Sequence, residues 1–319
     1  MGDEVTAASR HVTVAAVQST PVLLDRDATV ERLTISIKEA AAAGAQLVVF
    51  PEAIVPGYPD WVWRVPAFSD RDWYARLHGQ AVDIPGPVTD ALGAAAREAA
   101  TWVAVGVTER VRSGTLYNTL LYLDPTGAVA GVHRKLMPTG GERSVWGQGD
   151  SSLPVLDTGF GRVGGLLCWE NLMPLARAAL YQKGIDIYLA PTWDNSDSWL
   201  STLRHIAREG RVFVIGTNTC LHARDVPRSL PDVDRLYPGA DSDWPSRGNT
   251  VIVGPDGQVL TGPITEEPGM LVATLDLDAL TAARREFDPV GHYARSDLFQ
   301  LTVRQPRSAA DPGGGARGG

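Results

Sequence analysis

Hydrophobic and polar positions change period several times along this chain, and each change marks an element. HVTVAAVQ at 11–18 alternates and is rich in β-branched residues, as a strand is, and VERLTISIKEAAAAGA at 30–45 has helical spacing that stops near a glycine. QLVVFPEA at 46–53 is a short unbroken apolar run, the mark of a strand covered on both faces. A helix over about 88–100 follows, then a strand at WVAVGVTE, then NTLLYLDPTGAVAGVHRK at 118–135, whose Asp-Pro-Thr-Gly centre predicts a hairpin turn. Strands recur at RVGGLLC, DIYLAP and VFVIGTN, with helical spacing over about 173–183 and 198–210 between them. TVIVGPDGQVL at 250–260 reads as a second hairpin and GMLVATLDL at 269–277 as a last strand. The mixture predicts an α/β fold, a sheet covered by helices with antiparallel pairs at the hairpins.

Two long stretches carry no period, 54–75 and 222–247, and both are rich in Pro, Asp and aromatic residues. Loops that long in a compact enzyme carry function or contacts. Residues 1–10 read as a flexible start, and 305–319, QPRSAADPGGGARGG, as a disordered tail, which leaves 11–304 as one domain. No internal repeat is visible.

Composition narrows the function. Hydrophobic residues at 44% and charged residues at 21% are ordinary for a globular protein. A net charge of −8 and a pI near 5.3 offer no basic stripe to nucleic acid or anionic lipid. The two cysteines, Cys168 and Cys220, lie in neither a C-x-x-C nor a Cys/His metal spacing, so neither a disulfide framework nor a metal centre is expected. A reducing, cytoplasmic setting fits that usage. The N-terminus has no apolar signal region and no run approaches a membrane span, so a soluble chain is expected. Met1-Gly2 with Thr6 matches the short myristoylation pattern, but Asp3 and Glu4 give no basic second signal, and the match is read as chance.

Three chemically able residues fall at strand ends, where side chains leave the core and face a crevice: Glu52 after LVVFP, Lys135 after AVAGVHR, and Cys168 after RVGGLL. Singly each has an ordinary account, as a loop carboxylate, a surface cation and a small core residue. Together they form a set. A thiol with a pKa near 8.5 needs a base to become a nucleophile, and Glu52 supplies one. Charge on an atom attacked by sulfur needs fixed donors, and Lys135 and the Trp169 backbone N–H supply those. Of the six histidines only His133 lies beside a candidate site, and strand alternation is read as turning it away from Lys135. Glu170 and Asn171, which follow the cysteine, are read as a turn or helix start, and Cys220 as packing.

In VVFPEA, HRKLMPT and CWEN these residues resemble the Glu-Lys-Cys triad of the nitrilase superfamily, and GGERSVWGQGDSS, APTWDNSDSW and FDPVGHYARSDLF resemble its nitrilase branch. The likeness runs over roughly residues 11–301. It implies a four-layer α-β-β-α sandwich whose subunits join helix layer to helix layer. Nitrilases also assemble into open spirals through inserted loops and a C-terminal tail, so a homodimer or larger homo-oligomer is expected. The stretches 54–75 and 222–247 are candidates for such contacts, while the short Gly-rich tail departs from the pattern.

The resemblance further implies that Cys168 attacks a small-molecule nitrile, activated by Glu52 and assisted by Lys135, with neither metal nor organic cofactor. Glu142, in GGERSVWG, matches an additional acidic position thought to orient Lys135 or a water. Tyr58, Trp146, Trp169 and Trp193 are candidate substrate-binding walls, because large rings near a nucleophile enclose an apolar substituent and exclude water. The rival readings are a hydrating enzyme that stops at the amide, an amidase or carbamoylase of the same superfamily, and a non-catalytic assembly module.

Overall fold

The computed structural model describes residues 10–150, 152–239 and 243–304. The expectations for residues 1–9, including the acylation pattern, and for the tail 305–319 lie outside the described residues. Arg10, the last residue of the expected flexible start, is tied to Asp278 by an ion pair of 3.0 Å.

The first half of the chain runs β1 (His11–Gln18), α1 (Arg26–Ala42), β2 (Leu47–Val49), α2 (Arg71–Gln80), α3 (Pro87–Ala99), β3 (Trp102–Arg110), β4 (Leu116–Leu123) and β5 (Val129–Arg134). The second runs β6 (Val155–Asp157), β7 (Arg162–Gly165), α4 (Pro174–Gln182), β8 (Ile187–Leu189), α5 (Asp197–Gly210), β9 (Phe213–Gly216), β10 (Cys220–Leu221) and α6 (Val233–Leu236). It closes with β11 (Ser246–Val253), β12 (Val259–Thr265), β13 (Gly269–Asp276) and α7 (Ala279–Glu286).

Two sheets result, ordered β13-β1-β2-β3-β4-β5 and β10-β11-β9-β8-β7-β6, with β12 paired to β11. Strand alternation sorts the core into layers. On β1, Val12, Val14 and Ala16 join Ile187 and Leu189 of β8 and Phe213 and Ile215 of β9 between the sheets. Ala15 and Val17 face the other way, onto Leu33, Ile37 and Leu92 of α1 and α3. In the second sheet Tyr188 and Val214 turn outward onto Leu180, Leu203 and Ile206 of α4 and α5. The order is therefore helices, sheet, sheet, helices, the four-layer α-β-β-α sandwich. β13 joins the halves by returning to β1 in antiparallel register from His11 opposite Asp276 to Gln18 opposite Gly269.

The two sheets meet again past the carboxyl ends of β2 and β9, where the Thr217 hydroxyl donates to the Phe50 carbonyl at 3.0 Å. Above that junction the two stretches without a period pack on each other. Trp61 and Trp73 lie with ring centroids 5.1 Å apart, and Tyr237 stands 6.0 Å from Trp73. Arg64 crosses to the Leu236 carbonyl at 3.0 Å. These stretches thus contain α6 and the start of α2, and they bury Tyr58, Trp61, Trp73 and Tyr237 while Trp63 and Phe68 stay exposed. α7 was not foreseen from the pattern because it buries a single residue, Leu280, and so has almost no apolar period.

Candidate active site

Each chemically able side chain is aimed by a fixed piece of backbone. Glu52 follows β2, and Gly106 of β3 presses against its turn: a Cβ at Gly106 would lie 2.3 Å from the Pro51 oxygen and 2.7 Å from the Glu52 Cα. Lys135 follows β5, and its backbone N–H donates to the Asn118 carbonyl on β4 at 2.7 Å. Cys168 follows β7 and heads a short 3-10 turn over Cys168–Leu172. Its φ of 50° lies in the left-handed region, as does the 44° of Ala53 beside Glu52. Such a conformation costs a residue with a Cβ about 1–3 kcal/mol and recurs at functional sites. The turn is held by the Cys168 N–H on the Pro191 carbonyl at 2.8 Å and by the Asn171 amide, which donates to the Cys168 carbonyl at 2.7 Å.

The side chains converge. One carboxylate oxygen each from Glu52 and Glu142, and the Cys168 Sγ, all lie within 4.8 Å of one another. Lys135 Nζ donates to Glu52 Oε1 at 2.8 Å and to both oxygens of Glu142, at 3.0 and 2.8 Å. Asn118 Nδ2 donates to Glu52 Oε1 at 2.8 Å, and the Trp193 N–H donates to Glu52 Oε2 at 2.9 Å across the two sheets. The Tyr58 hydroxyl and the Thr139 N–H complete Glu142, at 2.6 and 2.7 Å. Glu52, Lys135 and Glu142 are all buried. Two carboxylates and a thiol at this spacing suit a cation, and the Lys135 ammonium is the cation that both carboxylates already bind.

Burial sets the charges. It raises the Glu52 carboxyl, opposed by Lys135, with a net upward direction, so the group is a more willing proton acceptor than an ordinary carboxylate. Burial would lower the Lys135 ammonium, but Glu52, Cys168 and Glu142 outweigh it and hold the group well above its usual range. Burial and the neighbouring Glu52 push the Cys168 thiol up to about 12. The resting site therefore holds a thiol beside a carboxylate, and the proton must pass between them for sulfur to attack.

A cavity of about 500 Å³ opens onto these groups, lined by Tyr58, Trp63, Glu142, Cys168, Trp169 and Trp193, with a polar rim of Thr139 and residues 194–196 and 198. Tyr58 and Trp193 stack with centroids 4.4 Å apart, and the Trp169 indole N–H donates to Asp194 at 2.8 Å. Trp169 and Trp63 are each 49% exposed and stand at the mouth. Trp146 is displaced from its expected role. It lies behind Tyr58 at 5.6 Å, edge to face, and does not line the cavity. Trp63, which the sequence analysis did not name, stands on the wall where Trp146 was expected.

Glu142 is not in a solvated loop, and Cys220 is buried outside this constellation. His133 does not turn out of the site region. Residues two apart on a strand return to one side, and His133 is buried with Nε2 at 3.0 Å from Glu170 Oε2. Asn118, which clamps Glu52 by its side chain and Lys135 by its carbonyl, escaped the sequence reading. An amide inside an apolar strand was its one signal. Among the described residues no helix is long and apolar enough to cross a membrane.

Residues 13–285 match the family model for carbon-nitrogen hydrolases. The chain is 45% identical over 304 residues to an aliphatic nitrilase of Sinorhizobium fredii, covering 92% of this chain and 96% of that one. It is 41% identical to the bifunctional nitrilase/nitrile hydratase NIT4B of Nicotiana tabacum, covering 95% and 88%. Among solved structures, a carbon-nitrogen hydrolase from Helicobacter pylori G27 superposes with a TM-score of 0.72 at 21% identity, over 91% of this chain and 97% of that one, a likeness of fold.

Proposed function

The chain belongs to the carbon-nitrogen hydrolase family, and we propose that it hydrolyses nitriles to carboxylic acids and ammonia through a covalent intermediate on Cys168. The observation that carries this is the convergence of the buried Glu52, Lys135 and Glu142 on a thiol at a strained turn that faces an aromatic cavity. Relatives named as nitrilases at 45% and 41% identity support the same substrate class.

In this reading the Cys168 proton passes to Glu52 as sulfur bonds to the nitrile carbon, and the nitrile nitrogen takes a proton to give a thioimidate. Water adds to that carbon, the C–N bond breaks, and ammonia leaves a thioester. A second water releases the acid and restores the thiol. Lys135 and the Trp169 N–H, in the first turn of its short helix, stabilise charge on the attacked group. Glu142 holds the ammonium in place, and Tyr58 and Trp193 receive an apolar substituent.

Self-association is supported by apolar side chains exposed at the head of α4, where Leu172 and Leu175 are 49% and 69% exposed. The free thiol suits a reducing, cytoplasmic setting. The test is ammonia release from a panel of aliphatic and arylaliphatic nitriles, with acid and amide both quantified. Acid with equimolar ammonia is expected. Predominant amide would make the enzyme a hydratase, and no turnover of any nitrile would overturn the reading.

A further inference from the structure

Glu170 does more than begin a turn. Its Oε2 accepts the Leu167 N–H at 2.7 Å, the bond by which a carboxylate caps a helix start three residues earlier. That bond needs one oxygen. Oε1 accepts the Leu136 N–H at 2.5 Å from a different part of the fold, and His133 Nε2 of β5 lies 3.2 and 3.0 Å from the two oxygens. Leu136 is the residue after Lys135, and Leu167 the residue before Cys168. One carboxylate therefore grips the backbone beside both.

The partner is charged. His133 Nδ1 faces the Ser152 carbonyl at 2.8 Å, which only accepts, so that nitrogen carries a proton. Nε2 faces a carboxylate that already takes two N–H bonds, so it carries one too, and the pair is an imidazolium with a carboxylate. Both side chains are fully buried. Asp150 also acts on His133, and Glu170 in turn acts on Tyr122 of β4 and Tyr188 of β8.

We infer that Glu170, held by His133, is a positioning residue that fixes the Lys135 ammonium relative to the Cys168 sulfur. The inference rests on the hydrolase reading above. It matters because a shift of about 1 Å at reacting groups costs on the order of 10²-fold in rate. A glutamine at 170 could not replace it, since an amide has one accepting oxygen and would turn N–H groups toward a backbone N–H.

The experiment compares Glu170→Gln and His133→Gln with wild type in circular dichroism, in kcat and KM with the best nitrile, and in Cys168 alkylation by iodoacetamide at pH 8, followed by peptide mass mapping. Glu170→Gln is expected to fold, to lose about 10²-fold in kcat with KM within about threefold, and to alkylate Cys168 about tenfold more slowly, because Lys135 lowers the thiol pKa. A folded Glu170→Gln with wild-type kcat and alkylation would reduce the residue to a turn cap. If that variant does not fold, His133→Gln decides: about a tenfold loss in kcat at unchanged KM supports the inference, and wild-type kcat overturns it. Alkylation needs no nitrile, so a wild type that releases no ammonia refutes the hydrolase reading while the alkylation rates still judge the positioning.

Discussion

Lys135 and Glu142 meet through both carboxylate oxygens, at 3.0 and 2.8 Å, with neither side chain open to solvent. Losing one partner of a buried pair normally costs about 3–5 kcal/mol because the other charge is stranded. Here Lys135 also bonds Glu52, so Glu142→Gln leaves it paired and should fold. What is lost is the second restraint on the ammonium. The rate should fall about 10²-fold, and the amide share of product should rise, since breakdown of the tetrahedral species depends on where that charge and its water sit. Chromatographic ratios of acid to amide measure this, and an unchanged rate and ratio would leave Glu142 a structural anchor.

Cys168→Ala should abolish turnover and leave the thermal midpoint close to wild type. The replacement keeps the Cβ, so the cost of a φ of 50° is the same in both proteins. Wild type trapped with a slow nitrile should carry its adduct on the Cys168 peptide. An adduct on Cys220, or appreciable turnover by the alanine variant, would displace the nucleophile.

Glu52→Gln keeps volume and removes the base, so a loss of at least about 10²-fold is expected. The pH profile of wild type tests the same residue. A base must be ionised to act, and burial raises this carboxyl. Activity should therefore disappear as pH falls through a value above the ordinary carboxylate pKa of about 4.3. An acid limb of kcat/KM at or below that value would show that Glu52 is not the group being titrated.

The sequence made the reactive residues legible because they stand at the ends of apolar runs, and strand periodicity alone places Glu52, Lys135 and Cys168 where backbone leaves the core. Their clamps were not legible. Asn118 meets Glu52 across 66 residues and His133 meets Glu170 across 37, and no local pattern records a contact at that range. Trp146 was misplaced for a related reason. Being near Glu142 in the chain says nothing of which face of Tyr58 a ring will occupy. The stretches 54–75 and 222–247 looked like open loops because their aromatic residues are spaced for each other rather than for a helix or strand.

Gly106 should tolerate no side chain. A Cβ there would sit 2.3 Å from the Pro51 oxygen and 2.4 Å from the Ala53 nitrogen, both backbone atoms of the turn that carries Glu52. Gly106→Ala should lose about 1–3 kcal/mol in stability, as overpacking does, and more activity than a remote change of equal cost. Gly79 of α2 has nothing within 4 Å of its Cβ position, so Gly79→Ala should gain about 0.5–1 kcal/mol at unchanged kcat. Urea unfolding and initial rates on the pair check this, and equal kcat in both variants would detach Gly106 from the site.

The charged state of His133 predicts how stability depends on pH. Burial would lower its pKa, but Glu170 overcomes that and the net direction is upward. A group whose folded pKa exceeds its unfolded value, about 6.5 for histidine, stabilises the fold fully below that unfolded value. The contribution is lost as pH rises toward the folded one, because the folded state then binds protons the unfolded chain has released. His133→Gln can still donate to Glu170 but does not titrate. The thermal midpoint of wild type should therefore exceed that of His133→Gln by a margin that is constant below pH 6 and shrinks as pH is raised past about 6.5. Scanning calorimetry of the two proteins across that window decides the matter. A margin that stays constant would mean that His133 titrates alike folded and unfolded, and one that shrinks as pH falls below about 6.5 would mean that the Glu170 carboxylate faces a neutral ring.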